Sequence, residues 1–310
     1  MAMTQNQLSM VDAITKNDMP AARRAARASI VEDTSKKNAY ACAKYARLLD
    51  PAINPDIVKL PYKIEGMIDV EHPSESFVVD RYYLSIREAT LFADISTMKC
   101  VCDRLAEMRI KRSNSVLLHG VSGTGKTTFG RYVAASFDLP FFYINFANLI
   151  DSHLGSTSRN IASVFDYVRS EPCVLMLDEI DTIAQRRGAG ASGADGEINR
   201  ITVTIMQEFD KLMNHQIVIA ATNRLDVIDE ALLRRFSKIH EVIPPVDAFE
   251  AAAVMKALLD DVKVEYDDGE LVFFCDENVG KPQAWFIDCA IKRVIKAIED
   301  EVMPNEMPSK

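Results

Sequence analysis

No apolar run in this chain approaches the roughly 20 residues of a membrane span, so no membrane insertion is expected. The stretch from Thr4 to Asp12 is polar, and the basic-then-apolar pattern of a secretory signal is missing. Cysteine is sparse and scattered, and only Cys100 and Cys102 stand close together. A lone C-x-C is a weak metal signal, so the expectation is reduced thiols in the core of a cytoplasmic protein. Internal repeats and low-complexity segments are lacking. So is any basic excess, since the net charge is −9. That charge is uneven: residues 1–50 hold eight Lys/Arg and five Asp/Glu, a net +3, and the remainder therefore carries −12. An acidic body argues against a general nucleic-acid binder, while the basic start leaves room for a local anionic partner.

What the sequence does contain falls into four parts and a tail. Residues 1–50 predict two or three short helices. Leu8, Val11 and Ile14 recur at helical spacing, Ala22, Ala26 and Ile30 make a second stripe, and Ala41, Tyr45 and Leu48 a third. Pro51, Pro55, Pro61 and Pro73 mark residues 51–75 as a linker. Over 76–244, short apolar runs alternate with helical stretches. The runs Ser115–His119, Pro140–Ile144, Cys173–Leu177 and Gln216–Ala220 are apolar on both faces, which predicts an α/β domain around a buried parallel sheet. Residues 245–302 predict a small helical unit, with Asp247 capping one helix and Pro282 opening another. Residues 303–310 form a tail.

Four motifs carry chemistry. Gly120-Val121-Ser122-Gly123-Thr124-Gly125-Lys126-Thr127 fits G-x-x-x-x-G-K-[ST] between a predicted strand and a predicted helix, the context a phosphate-binding loop requires. Its glycines let backbone N–H groups turn around phosphate oxygens, and the following helix adds its dipole. Lys126 would neutralise the β- and γ-phosphates of ATP, the Thr127 hydroxyl would ligate Mg²⁺, and Thr128 would extend the cradle. The run Cys173-Val174-Leu175-Met176-Leu177-Asp178-Glu179 ends a buried strand on two acids. Asp178 is the candidate metal ligand and Glu179 the candidate polariser of the attacking water. Ile217 to Asn223 is a third strand ending in an amide, and Asn223 could help hold that water. Arg234 and Arg235 follow in Leu233-Arg234-Arg235-Phe236. Arginines supplied in trans stabilise charge on a transferring phosphoryl group, so this pair implies a neighbouring subunit.

In this order and spacing, the four elements resemble the AAA family of AAA+ ATPases over Ser115 to Ile243, with a lid to about Glu301. Asp178-Glu179-Ile180-Asp181, Gln185-Arg186-Arg187-Gly188, Asn199-Arg200 and Leu233-Arg234-Arg235-Phe236-Ser237-Lys238 look like the branch containing katanin, spastin and fidgetin. The resemblance implies a P-loop core with a helical lid, ATP and Mg²⁺ as cofactors, and a ring of six copies with Arg234 and Arg235 reaching across. It also implies a protein substrate threaded through a central pore. His153, Leu154 and Gly155 stand where relatives carry a first pore loop, with His153 in place of an aromatic. A second pore loop would lie in 187–197. The Gly-Gly motif that relatives place at the adenine has no counterpart, which leaves Tyr82, Tyr83 and Ile86 as candidates. The lid segment Gly280-Lys281-Pro282-Gln283 lacks the arginine that many AAA+ proteins set against the γ-phosphate. Three functions are compatible with these features. They are a ring-shaped protein remodeller that takes an adaptor or substrate through residues 1–50, a nucleic-acid-associated ATPase such as a helicase loader, and a slow nucleotide-switched scaffold.

Overall fold

The computed structural model describes residues 3–16, 19–32, 64, 66–73, 77–146, 157–170, 172–183 and 193–302. Contacts divide the chain into two units, Met1–Glu65 and Gly66–Lys310. In the first, helices α1 (Gln5–Thr15) and α2 (Met19–Glu32) pack on each other. A capping box starts α1: the Thr4 hydroxyl accepts from the Gln7 N–H, and the Gln7 side chain accepts from the Thr4 N–H. The predicted stripe Leu8, Val11 and Ile14 is exposed, and the buried residue of α1 is Ala13. On α2, Ala22 of the predicted stripe is buried. The third predicted helix lies outside the described residues.

The second unit is α/β, as expected, with a six-stranded, mostly parallel sheet flanked by helices. Its strands are β1 (Asp69–Glu71), β2 (Asn114–His119), β3 (Phe141–Asn145), β4 (Cys173–Asp178), β5 (Gln216–Thr222) and β6 (Lys238–Glu241). They lie in the order β1-β3-β4-β5-β2-β6, and only β1 is antiparallel to its neighbour. The edge strand β1 falls within the stretch that the prolines mark as linker. It is held by Arg131, which donates to both carboxylate oxygens of Glu71 at 2.8 and 2.9 Å.

Helices α3 (Ile86–Glu107) and α4 (Lys126–Phe137) cover one face of the sheet. Leu91 and Ile95 of α3, with Phe129 and Val133 of α4, pack against Val116, Leu118, Val174, Met176, Ile217 and Ile219. Leu117, Leu175 and Val218 alternate with these along the strands and are just as buried, so both faces are covered. Further along the chain, α5 (Thr157–Val168) packs on α6 (Gly193–Phe209). The short helix α7 (Glu230–Leu233) precedes β6.

The segment expected as a lid holds α8 (Ala248–Asp261), α9 (Asp268–Asp276) and α10 (Gln283–Val302). Asp247 caps α8, its carboxylate accepting from the Glu250 N–H at 2.7 Å, and Asp267 caps α9 in the same way. Met255, Leu259, Leu271, Cys275 and Phe286 form the lid's own core. Ion pairs Arg81–Asp261 and Arg87–Glu250 tie it to the segment leading into α3 and to the first turn of α3. Cys102 and Cys275 are core thiols, whereas Cys100 faces solvent. Among the described residues, no helix is long and apolar enough to cross a membrane.

Candidate functional site

Strand β2 ends at His119, and the chain must reverse into α4 within the six residues 120–125. Gly120 has φ +148°, and a Cβ there would collide with the carbonyl oxygen of Val242. That carbonyl is fixed because the Val242 N–H donates to His119 O at 2.7 Å. Glycine is thus required where the edge of the sheet passes the loop.

The loop delivers Lys126 into the interior, where it is only 8% exposed. Its ammonium donates to Gly120 O and Val121 O, both at 2.9 Å, and to Asn223 Oδ1 at 2.8 Å. Burial pushes its pKa below the ordinary lysine value, and the charges of Asp178 and Asp181 pull it back up. Beside it, the Thr127 hydroxyl donates to Asp178 Oδ2 at 2.7 Å, and the Tyr143 hydroxyl reaches the same oxygen at 3.3 Å. The other Asp178 oxygen accepts from the Glu179 N–H at 2.9 Å. Glu179 itself turns out of β4 in the left-handed region, at φ +53°. Such a conformation costs a non-glycine residue energy and is over-represented at functional sites.

Asn223 is steered by neighbours that the motif reading did not assign. The Thr222 hydroxyl donates to Asp181 Oδ1 at 2.7 Å and accepts from the Arg224 N–H at 2.9 Å. These bonds fix the backbone on both sides of Asn223.

A cleft of about 260 Å³ opens at this point. Ser122, Gly123, Gly125, Lys126, Thr127, Thr128, Asp178, Glu179 and Asn223 line it, so one site brings together most of the sequence candidates. Gly120, Val121 and Thr124 belong to the loop without lining the cleft. The carbonyls of the first two hold Lys126, and Thr124 is buried with its hydroxyl donating to Val121 O. Tyr82 and Tyr83, two of the adenine candidates, and Gln283 of the lid segment line the cleft too, whereas Arg81, Val254, Ala284 and Ile287 belong to no motif. Tyr82 and Tyr83 are therefore at the cleft, whereas Ile86 is 85% exposed and outside it.

The arginine pair does not line the cleft of its own chain. Arg235 grips Asp210 through two bonds, at 2.9 and 2.8 Å, and donates to Ala231 O. Among the described residues Arg234 has a single 3.8 Å pairing, with Glu230, and its side chain is 81% exposed. His153, Leu154 and Gly155 lie outside the described residues, as do 187–192 of the second pore-loop stretch.

A phosphate-binding loop on a parallel sheet, with acids and an amide at the ends of neighbouring strands, defines a P-loop nucleotide hydrolase. Residues 116–243 match the model of the AAA family, the ATPase family associated with various cellular activities. This part of the chain is an AAA ATPase domain. The chain is 37% identical over 165 residues to the peroxisomal ATPase PEX6 of Arabidopsis thaliana, covering 51% of this chain and 17% of that protein. It is 41% identical over 128 residues to 26S proteasome regulatory subunit 10B homolog A of the same organism, covering 40% and 32%. It is also 41% identical over 137 residues to ATP-dependent zinc metalloprotease FtsH 1 of Sphaerobacter thermophilus, covering 43% and 21%. In each case the match spans less than a third of the relative's own length.

Proposed function

We propose that this chain hydrolyses ATP with Mg²⁺ as one subunit of a ring, six copies by resemblance, and remodels, unfolds or disassembles protein substrates through a central pore. The observation that carries this reading is the convergence of Lys126, Thr127, Asp178, Glu179 and Asn223 on one cleft at the carboxyl ends of β2, β4 and β5. Phosphates entering the cleft offer Lys126 an anion in place of two carbonyls and an amide oxygen, and a charge-assisted bond is the stronger one. The Thr127 hydroxyl and the Asp178 carboxylate are hard oxygen donors. Among the described residues no cluster of three acidic, histidine or cysteine groups exists to build a full protein cage. One hydroxyl and one carboxylate suit Mg²⁺, which keeps several waters and completes its shell with substrate phosphates. When bound, it neutralises charge on the phosphate oxygens. Glu179 orients and polarises the attacking water, and Asn223 helps hold it. Tyr82, Val254 and Ile287 give the cleft apolar walls, which suit the flat adenine.

Arg234, exposed and loosely paired, is suited to reach the site of a neighbouring copy, while Arg235 is engaged with Asp210. The adjacent arginines, with no Pro-Gly between them, support the finer likeness to the katanin, spastin and fidgetin branch. Two of the three relatives are named for proteolytic machines, which favours a protein substrate. Residues 1–50 would receive the adaptor or substrate, and buried thiols such as Cys102 suit a reducing cytoplasm.

The ring reading has a direct test. Arg234→Ala and Glu179→Gln should each fail to release phosphate alone. Mixed, they should recover activity, because the second variant lends its arginine to the intact site of the first. Co-assembled variants that stay inactive would contradict action across subunits.

A further inference from the structure

On the sheet face covered by α4, Tyr143 of β3 and Asp178 of β4 are diagonal neighbours, since Tyr143 stands opposite Met176 and Asn145 opposite Asp178. The Tyr143 hydroxyl donates to Asp178 Oδ2 at 3.3 Å, and the Thr127 hydroxyl donates to the same oxygen at 2.7 Å. The Glu179 N–H donates to Oδ1 at 2.9 Å. A carboxylate offers about four lone-pair sites. These donors act on both oxygens, so the plane of the Asp178 carboxylate is set while Oδ1 keeps room for a metal or its water.

The tyrosine ring is itself held. It lies alongside the Phe141 ring, with centroids 6.3 Å apart and planes at 26°. The Arg131 guanidinium sits over Phe141, 5.3 Å from the centroid, and is fixed in turn by both Glu71 oxygens. Arg131 follows Thr127 by four residues, so the two share one face of α4. Edge strand β1 and the helix of the phosphate loop thus clamp the aromatic pair that reaches Asp178. The loop, acid, amide and arginine motifs do not include Tyr143, which stands in the apolar run Phe141-Phe142-Tyr143-Ile144.

We infer that Tyr143 is a positioning residue for Mg²⁺, its hydroxyl orienting the Asp178 carboxylate while Thr127 serves as a ligand itself. This rests on the Mg·ATP reading and adds to it a residue outside the ligand set. Partners that orient metal ligands contribute roughly ten- to a hundredfold in metal affinity. The 3.3 Å separation exceeds the usual hydroxyl distance of about 2.7–2.8 Å, so the lower end applies here.

The test is calorimetric titration of the full chain with ADP, over a series of free Mg²⁺ concentrations and in EDTA. Tyr143→Phe keeps the ring and its packing on Phe141 and removes only the hydroxyl. Thermal melting of nucleotide-free protein checks its fold, and Tyr143→Leu replaces it if it melts early. If both melt early, the residue is structural and the inference falls. In Tyr143→Phe the half-saturating Mg²⁺ for tight ADP binding should rise about tenfold, while ADP affinity in EDTA should match the wild type. An unchanged Mg²⁺ requirement would overturn the inference. So would an equal loss of ADP affinity with and without metal, the result a purely structural role would give. A wild-type chain that bound no ADP, or bound it identically in Mg²⁺ and in EDTA, would bring down the Mg·ATP reading instead.

Discussion

Thr222→Val tests whether the site depends on the bonds that steer Asn223. The substitution keeps shape at a buried position and removes one hydroxyl. Two hydrogen bonds go with it: the donation to Asp181 Oδ1 at 2.7 Å and the acceptance from the Arg224 N–H at 2.9 Å. The first involves a carboxylate and is worth about 1.5–3 kcal/mol, the second about 1 kcal/mol. Asp181 and Arg224 are near the surface and regain water, so the net loss should be about 2 kcal/mol, or roughly 4–8 °C in melting temperature. If half of that is felt as misplacement of Asn223 in the transition state, turnover falls about fivefold. ADP affinity should hardly move, because the phosphate loop is untouched. Steady-state phosphate release, ADP calorimetry and thermal melts on the same preparation separate the three quantities. A variant that melts lower but turns over at the wild-type rate would refute the idea that this pair positions Asn223.

Burial pushes the Glu88 carboxyl above its ordinary 4.5, while hydrogen bonds from Ser85 pull it back. A raised carboxyl pKa means that the fold disfavours the charge, so Glu88 costs stability progressively as pH rises from 4.5 through its folded value. Glu88→Gln keeps the capping acceptor for the Ser85 N–H and should melt higher than wild type at pH 7.5, with the difference vanishing near pH 4.5 in a melting series. Arg235→Ala breaks a partly exposed ion pair and should cost no more than about 1 kcal/mol of stability. Arg234→Ala should leave the melting curve unchanged and still abolish turnover of the assembled protein, as phosphate release would read. Chelation of Mg²⁺ by EDTA should abolish turnover, and Asp178→Asn should shift the activity curve to higher Mg²⁺ in a metal titration.

Much of this molecule is legible from its sequence for physical reasons. Strands buried on both faces must be apolar runs, so β2, β4 and β5 stand out, and the residues at their carboxyl ends are then placed by topology. Asp247 announces α8 because a cap has a local signature. Helix α3 is harder to see, since its buried apolar residues Leu91, Ile95 and Cys102 are few along 22 positions. Edge strands β1 and β6 are short and carry charged residues, because one of their faces or edges meets water. Val254 and Ile287 have no local sign at all: they reach the nucleotide cleft only through the packing of α8 and α10 on the rest of the unit. Two adjacent arginines look alike in sequence, and only Asp210, 25 positions before Arg235, distinguishes them.

The central claim is that this cleft binds ATP and cleaves it with Glu179 as the group that activates water. Its most direct test is nucleotide binding and phosphate release by Glu179→Gln beside the wild-type chain in the presence of Mg²⁺. The account predicts that the variant binds ATP with wild-type affinity or better and releases no phosphate above background. A variant that hydrolyses ATP at the wild-type rate would contradict it.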